Sequence, residues 1–359
     1  MDTSIFISKN FKPKKGRVVC DSPSNIALIK YWGKYELQLP INPSISFTLS
    51  NCRTKTSIDY SPRLKAQEKF VFLYDGKTKK SFENKIKEFL DRISSFCPYL
   101  ENLFLKINSK NTFPHSSGIA SSASAFSSLA FCVVSIEKRY DERMTDQFFF
   151  NKVSFIARLG SGSASRSISG PLMIWGENEF HSGCSNFFAI NYNRQIHQSF
   201  KNYQNTILII DNKIKKVSSS LGHKKMTDHP FLNDRINQAK KNLKIILNAI
   251  SIGDLEAFIK VVEQEAMTLH ALMMSSDPPT VLIKSKTLQV IELLINFREK
   301  EKVPVCFTLD AGPNVHLLYP EKYKLKVMKY IKEKLMYYCQ NELFIKDKVG
   351  LGTKLLDFN

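Results

Sequence analysis

The stretch NTFPHSSGIASSASAF, residues 111–126, holds five serines, three alanines, one glycine and no Lys, Arg, Asp or Glu. Its small residues lie just before a run with helical spacing. A helix N-terminus offers unpaired backbone N–H groups and the positive end of the helix dipole, so it holds phosphate where small side chains let the anion reach the backbone. Ser116, Gly118, Ala120, Ser121 and Ser122 meet that steric demand, and their hydroxyls add donors for a phosphate or for a magnesium ion bound to it. No GK[ST] follows, so this is not a Walker loop. A helix capped by Ser, with a small-residue packing face, explains the same letters.

Three other stretches carry groups that could do chemistry. KYWGK, Lys30 to Lys34, places two lysines and a phenol at a strand or its end, a set suited to a diphosphate if it faces a cleft and an ordinary solvated strand if it does not. SGSASR, Ser161 to Arg166, follows a helical FIARLG, which rules out a dinucleotide loop. It reads instead as a pocket of hydroxyls with an arginine whose planar fork suits a carboxylate, or as a structural arginine paired with an acid of the chain. DAGPN, residues 310–314, follows an apolar run and is by itself most simply a turn.

The elements that must position these residues alternate in type. Strands are expected over 17–34, 43–49, 69–74 and 103–108, then a helix from Ser121 with Phe126, Leu129, Ala130, Val133 and Val134 on one face. A helix over 147–159 and a strand over 170–175 come next. After a polar stretch, TILIID (206–211) reads as the first strand of a second lobe. That lobe adds helices through 236–250, 254–274 and 281–299, and two strands, VPVCFTL and VHLLY, flanking 310–314. The lobe boundary falls near 205, giving 1–205 and 206–359.

A chain of 359 residues has room for two such lobes. No apolar run reaches the roughly 20 residues of a membrane-spanning helix, and the first residues lack the apolar core of a secretory signal, so a cytoplasmic location is the expectation. The seven cysteines are scattered, with no CxxC, and read as reduced thiols. The net charge of +19 admits nucleic acid, an anionic membrane surface or phosphorylated small molecules as partners. The lysines are spread along the chain and no nucleic-acid motif accompanies them.

Together and in this order, SPSNIALIKYWGKYELQLPINPSISFTLS (22–50), PHSSGIASSASAF, RLGSGSASRSISG (158–170) and FTLDAGPN (307–314) resemble the diphosphomevalonate decarboxylases, a branch of the GHMP kinase superfamily. The resemblance covers about residues 17–320. It implies an α/β (α+β) chain with the two-lobed GHMP kinase fold: a first lobe like ribosomal protein S5 domain 2, an α+β second lobe, and a site in the cleft between them. It implies a reaction in which ATP phosphorylates the tertiary 3-hydroxyl of (R)-5-diphosphomevalonate, after which phosphate and CO₂ leave and isopentenyl diphosphate remains. Two polyanions must then be held close and a hydroxyl aimed at the γ-phosphate.

Carried over by motif, Asp310 approaches the 3-hydroxyl as base or orienting acceptor and Arg166 grips the substrate carboxylate. The substrate-contacting set comprises Lys30, Tyr31, Trp32, Gly33, Lys34, Ser161, Gly162, Ser163, Ala164, Ser165 and Arg166, with Ser219 and Ser220 of KKVSSSLGH for the diphosphate. The family's diphosphate-binding arginine, in the helix after the third strand, has its nearest match in Lys85. Ser116, Gly118, Ala120, Ser121 and Ser122 take the nucleotide. No histidines pair at metal-ligand spacing, so no metal is inferred beyond the magnesium of Mg-ATP. The implied partners are diphosphomevalonate and ATP, without nucleic acid or membrane, and a homodimer is allowed. His115 and Ser116 depart from the family pattern in the phosphate loop. The rival readings are a decarboxylase of 5-phosphomevalonate, a kinase that stops at phosphorylation, and a basic nucleic-acid-binding protein on a similar scaffold.

Overall fold

The computed structural model describes residues 2–114, 119–212 and 219–359. Its first lobe runs β1 (Gly16–Ile29), a short hairpin of β2 (Lys34–Tyr35) and β3 (Leu39–Pro40), β4 (Ser44–Pro62), β5 (Phe70–Tyr74), β6 (Lys77–Thr78), α1 (Lys80–Ile93), β7 (Leu103–Asn111), α2 (Ser121–Tyr140), α3 (Asp146–Gly160), β8 (Leu172–Trp175) and β9 (Ile190–Asn191). The second runs β10 (Gln204–Leu208), α4 (Ser219–Lys224), α5 (Leu232–Ile252), α6 (Leu255–Met274), α7 (Ser285–Glu301), β11 (Cys306–Leu309), β12 (Val315–Tyr319), α8 (Lys324–Tyr330), β13 (Phe344–Lys348) and β14 (Lys354–Phe358).

The larger sheet has the order β14-β1-β4-β7-β5-β6, with β8 paired to the first half of β4 and β9 beside it. The smaller sheet has the order β11-β12-β10-β13. β14 is antiparallel to β1, with Val18 opposite Phe358, so the last residues of the chain return to the first sheet. β4 is longer than the apolar run 43–49 predicts. Its second half buries Cys52, Thr54, Thr56, Ile58 and Tyr60 at every other position while Lys55, Ser57, Asp59 and Ser61 between them are more exposed, a period of two that low average hydrophobicity hides. Helix α1, which periodicity did not single out, buries only Ile86, Phe89 and Ile93 on an otherwise charged cylinder.

Helix α2 accounts for the density of Ser and Ala. It is buried around nearly its whole circumference from Ala123 to Glu137, against the larger sheet and α3. Small side chains permit that close approach, and the hydroxyls of Ser124, Ser127 and Ser128 are bonded: Ser124 Oγ shares a 2.6 Å bond with Thr54 Oγ1, Ser127 Oγ donates to Ser124 O at 3.1 Å, and Ser128 Oγ donates to Cys20 O at 3.3 Å. Packing therefore explains Ser124, Ser127 and Ser128. It does not explain Ser121 and Ser122, which lie at the open end.

The lobes share a core. Ile26, Ile45 and Phe47 of the larger sheet pack in one apolar cluster with Ile207, Leu243 and Phe258 of the second lobe. Phe258 is fully buried, its ring 4.8 Å from Phe200 and 5.4 Å from Tyr203. Burial of this size couples the lobes energetically. Phe258→Ala is expected to cost about 3–5 kcal/mol and, because the cluster spans both lobes, to lower the midpoint of a single urea transition. Two separated transitions would show that the lobes unfold independently.

Candidate active site

Where β1 ends, residues 30–34 turn away from the sheet into a cavity of about 710 Å³ between the lobes. The turn needs Gly33, whose φ of +101° is unfavourable for other residues and whose added Cβ would collide with Ile41. Lys30 is fixed on both sides of its backbone: its N–H donates to Glu265 Oε2 at 2.9 Å, and its carbonyl accepts from Arg235 and from Asn42 Nδ2, each at 3.0 Å. Arg235, on α5, grips Glu265, on α6, through two 2.7 Å bonds with both side chains sealed from solvent. Asn242 adds a 2.8 Å bond to Glu265 Oε1.

This network aims Lys30 Nζ at Asp310, 3.2 Å from Oδ1, in the turn between β11 and β12. Burial lowers the Lys30 pKa, while Asp310 and Glu265 act in the opposite direction. The ammonium group is a close cationic neighbour for the Asp310 carboxylate.

Arg166 sits within a six-residue 3₁₀ turn after α3, Gly162–Ser167. It is 2% exposed, donates Nε–H to Ser46 Oγ at 2.6 Å and Nη1–H to Ser44 Oγ at 2.5 Å, and lies over the rings of Tyr31 and Trp175. Among the described residues no carboxylate forms an ion pair with it. Burial lowers its pKa to about 10, against the opposing pull of Tyr31 and Asp310. A buried guanidinium held by neutral hydroxyls keeps capacity for an external anion.

The N-terminus of α2 opens on the same cavity. Its N-cap is Ala120, in the left-handed region at φ +43°, and no side chain caps the helix. A non-glycine residue held there, together with uncapped N–H groups, is a combination that ligand sites favour. Ser24 Oγ fixes this bend by donating to Ile119 O at 2.5 Å. Ser122 Oγ lies 3.4 Å from Ser161 Oγ, which lies 3.3 Å from Ser163 Oγ, so hydroxyls run from the helix end to the 3₁₀ turn.

Of the residues singled out in the sequence, Lys30, Tyr31, Trp32, Lys34, Lys85, Ala120, Ser121, Ser122, Ser161, Gly162, Ser163, Arg166 and Asp310 line this one cavity. Gly33 shapes the turn between them. Ala164 and Ser165 are buried beneath the wall, with Ser165 Oγ donating to Gly162 O at 2.8 Å, and support it instead. Ser116 and Gly118, with His115, lie outside the described residues, as do the side chains of Ser219 and Ser220; α4 begins at Ser219.

The structure also brings in residues that motif reading passed over. Arg92, two turns after Lys85 on α1, lines the cavity and donates to Leu159 O at 3.1 Å. Ser44 and Ser46 hold Arg166, and their alternation with Ile45 and Phe47 in PSISF was the available signal. Glu265 and Arg235, distant in sequence, left no local signal. Five cationic side chains, Lys30, Lys34, Lys85, Arg92 and Arg166, line the cavity against Glu88 and Asp310. One end is aromatic, with Phe72, Tyr74, Phe82, Phe89 and Phe126 near Ser109 and Asn111.

A basic cleft between two α/β lobes, faced by the uncapped start of a small-residue helix, is the arrangement of an enzyme with the GHMP kinase fold, and solved structures agree. The chain superposes on mevalonate diphosphate decarboxylase from Staphylococcus aureus with a TM-score of 0.81 at 27% identity, over 96% of this chain and 98% of that one. It superposes on MDDEF in complex with MVAPP, AMPPCP and magnesium with a TM-score of 0.80 at 28% identity, over 96% and 99%. Residues 22–186 match the diphosphomevalonate decarboxylase-like N-terminal domain, and residues 205–355 match the mevalonate 5-diphosphate decarboxylase C-terminal domain. The chain belongs to the diphosphomevalonate decarboxylase family. It is 30% identical to the diphosphomevalonate decarboxylase of Debaryomyces hansenii over 321 residues, 86% of this chain and 80% of that protein. It is 29% identical to that of Ganoderma lucidum over 355 residues, 93% and 85%. Among the described residues no helix is long and apolar enough to cross a membrane.

Behind Asp310, His316 of β12 is buried, and burial brings its pKa down to about 4, with Asp310 raising it and Lys30 lowering it. An unfolded histidine titrates near 6.5, so between these values the unfolded chain binds the proton more readily. The stabilising contribution is complete above about pH 6.5 and is lost as pH falls towards 4. The loss is on the order of 3 kcal/mol. Urea midpoints measured across this window are expected to fall, and less steeply for His316→Gln; equal slopes would show that other groups set the acid sensitivity.

Proposed function

We propose that this protein is an ATP-dependent diphosphomevalonate decarboxylase, which phosphorylates the tertiary 3-hydroxyl of (R)-5-diphosphomevalonate and releases phosphate and CO₂ to form isopentenyl diphosphate. The observation that carries the reading is the convergence of Asp310 and Arg166 on one cavity, with Arg166 buried and forming no ion pair among the described residues. A kinase that stopped at phosphorylation would have less use for a buried fork reserved for a carboxylate. That the names of family relatives include the same activity supports the assignment.

In this reading Asp310 orients the 3-hydroxyl and accepts its proton as the oxygen attacks the γ-phosphorus of ATP. The P–O bond to ADP breaks as the new one forms. Lys30, 3.2 Å from Asp310, offsets the repulsion between its carboxylate and the phosphates. Arg166 and Ser163 hold the substrate carboxylate in line, so that the electron pair of the breaking carbon–carboxylate bond forms the alkene as the 3-phosphate leaves. Tyr31, Lys34, Lys85 and Arg92 take the diphosphate, with Ser219 and Ser220. The start of α2, through Ala120, Ser121 and Ser122 with Ser116 and Gly118, takes the ATP phosphates, and magnesium enters with the nucleotide. The fit rests on the uncapped helix end and the small residues around it. The aromatic end of the cavity, with Ser109 and Asn111 as polar partners, suits the purine. Cys20, Cys52, Cys97, Cys132, Cys184, Cys306 and Cys339 are all free, which fits a reducing, cytoplasmic setting.

Incubation with Mg-ATP and diphosphomevalonate is expected to release ADP and CO₂ in equal amounts. ADP without CO₂ would favour the kinase, and turnover of 5-phosphomevalonate in preference would favour the monophosphate enzyme. Asp310→Asn preserves shape and removes the charge. It is expected to lower kcat by about 10²–10⁴-fold with little change in ligand affinity, because the acceptor acts as the hydroxyl loses its proton. A folded variant with parental kcat, checked by its melting curve, would reduce Asp310 to a turn residue.

A further inference from the structure

His223 has no part in the roles assigned above, although it is buried in the wall of the cavity. It lies on α4, and its ring packs between those of Tyr31 and Trp32, with centroids 4.3 Å and 4.8 Å away. Nδ1 accepts the backbone N–H of Gly33 at 3.0 Å, at the centre of the turn that carries Lys34. Nε2 forms no hydrogen bond among the described residues, and His223 is one of the residues that line the cavity.

These facts fix the state of the ring. An imidazole whose Nδ1 accepts a backbone N–H carries its single proton on Nε2, and a second proton on Nδ1 would set two N–H groups against each other. Burial, with Lys34 and Arg166 as charged neighbours, brings its pKa down to about 3, which agrees with that geometry. The packed rings and the Gly33 bond also fix its direction. His223 is thus an uncharged donor beside Lys34, in a cavity that five cationic side chains also line. A lysine attracts any anion nearby, whereas a neutral N–H held in one direction rewards only an oxygen placed in line with it.

We propose that His223 is a substrate-positioning residue, whose Nε2–H donates to an oxygen of the substrate diphosphate beside Lys34 while Nδ1 braces the Gly33 turn. The diphosphate is preferred over the substrate carboxylate because the histidine is bonded to the Lys34 turn itself. The identity of the diphosphate rests on the function proposed above, but the site chemistry can be probed without turnover.

Three variants separate the two nitrogens. Asparagine places an acceptor near the Nδ1 position but has no group at Nε2, glutamine reaches the Nε2 position without the Nδ1 acceptor, and leucine supplies neither. His223→Asn is expected to raise KM for diphosphomevalonate about tenfold, the effect of one lost hydrogen bond to a charged group. The inhibition constant of inorganic pyrophosphate should rise in parallel, KM for ATP and the melting temperature should move little, and kcat should fall less than KM rises. His223→Gln should retain more pyrophosphate affinity than His223→Leu. Should His223→Asn bind pyrophosphate within twofold of the parent, the donor role is overturned and only the brace remains. If the variants do not fold, ¹⁵N-histidine spectra of the parent decide: the His223 Nε2 resonance must shift when pyrophosphate is added, and an unmoved resonance overturns the proposal. Because pyrophosphate binding is measured directly, a parent that failed to decarboxylate diphosphomevalonate would count against the proposed function and leave this test readable.

Discussion

The site depends on one constraint: Lys30 and Asp310, brought from opposite lobes, must meet at 3.2 Å with the Lys30 side chain almost fully buried. Taking an ammonium group out of water costs several kcal/mol unless its surroundings compensate. The compensation is layered. Asp310 meets the charge, and Glu265 fixes the Lys30 backbone. Arg235 and Asn242 then satisfy Glu265. Each buried charge has its partner, and removing one leaves another exposed to a low-dielectric interior. The chain of contacts runs from β1 through α6 and α5, so the geometry of the site and the docking of the lobes are one arrangement.

Arg166 is the deliberate exception. Its two serine partners are neutral, and no carboxylate among the described residues pairs with it. A buried cation in that condition is costly in the free protein and gains most from a bound anion, so part of the binding energy is invested in advance as preorganisation. The same logic applies to the start of α2, where a left-handed alanine stands in place of a capping side chain. Local structure is strained or under-satisfied at both points where the proposed reaction would place anions, and the shared core stabilises the fold around them.

The small residues of α2 serve two ends at once. Ser124 and Ser128 let the helix lie against β1 and β4 with their own hydroxyls bonded, which is why the helix can be polar in sequence and buried in space. One turn earlier, Ser121 and Ser122 keep the backbone accessible from the cavity. A bulky residue at the first pair would spoil packing; at the second it would obstruct a ligand. The packing reading of this segment holds for Ser124 and Ser128, and the proposed phosphate site rests on Ser121 and Ser122 at the open end.

The sequence by itself determined what is local. Apolar spacing marked most strands and helices, and four motifs, read in order, indicated Asp310, Arg166, the Lys30–Lys34 turn and the start of α2, because a turn or a helix end is encoded by adjacent residues. It marked neither the second half of β4 nor α1, where burial alternates against a polar background or is confined to three residues. Tertiary structure alone decided the pairings over long separations: Glu265 with Lys30 and Arg235, Ser44 and Ser46 with Arg166, β14 with β1, and His223 with Gly33. A hydrogen bond between residues 235 apart in sequence has no signature in the letters around either end. Its partners meet only because two apolar faces, each legible by itself, exclude water by packing together, and that packing selects which buried polar groups come within reach of one another.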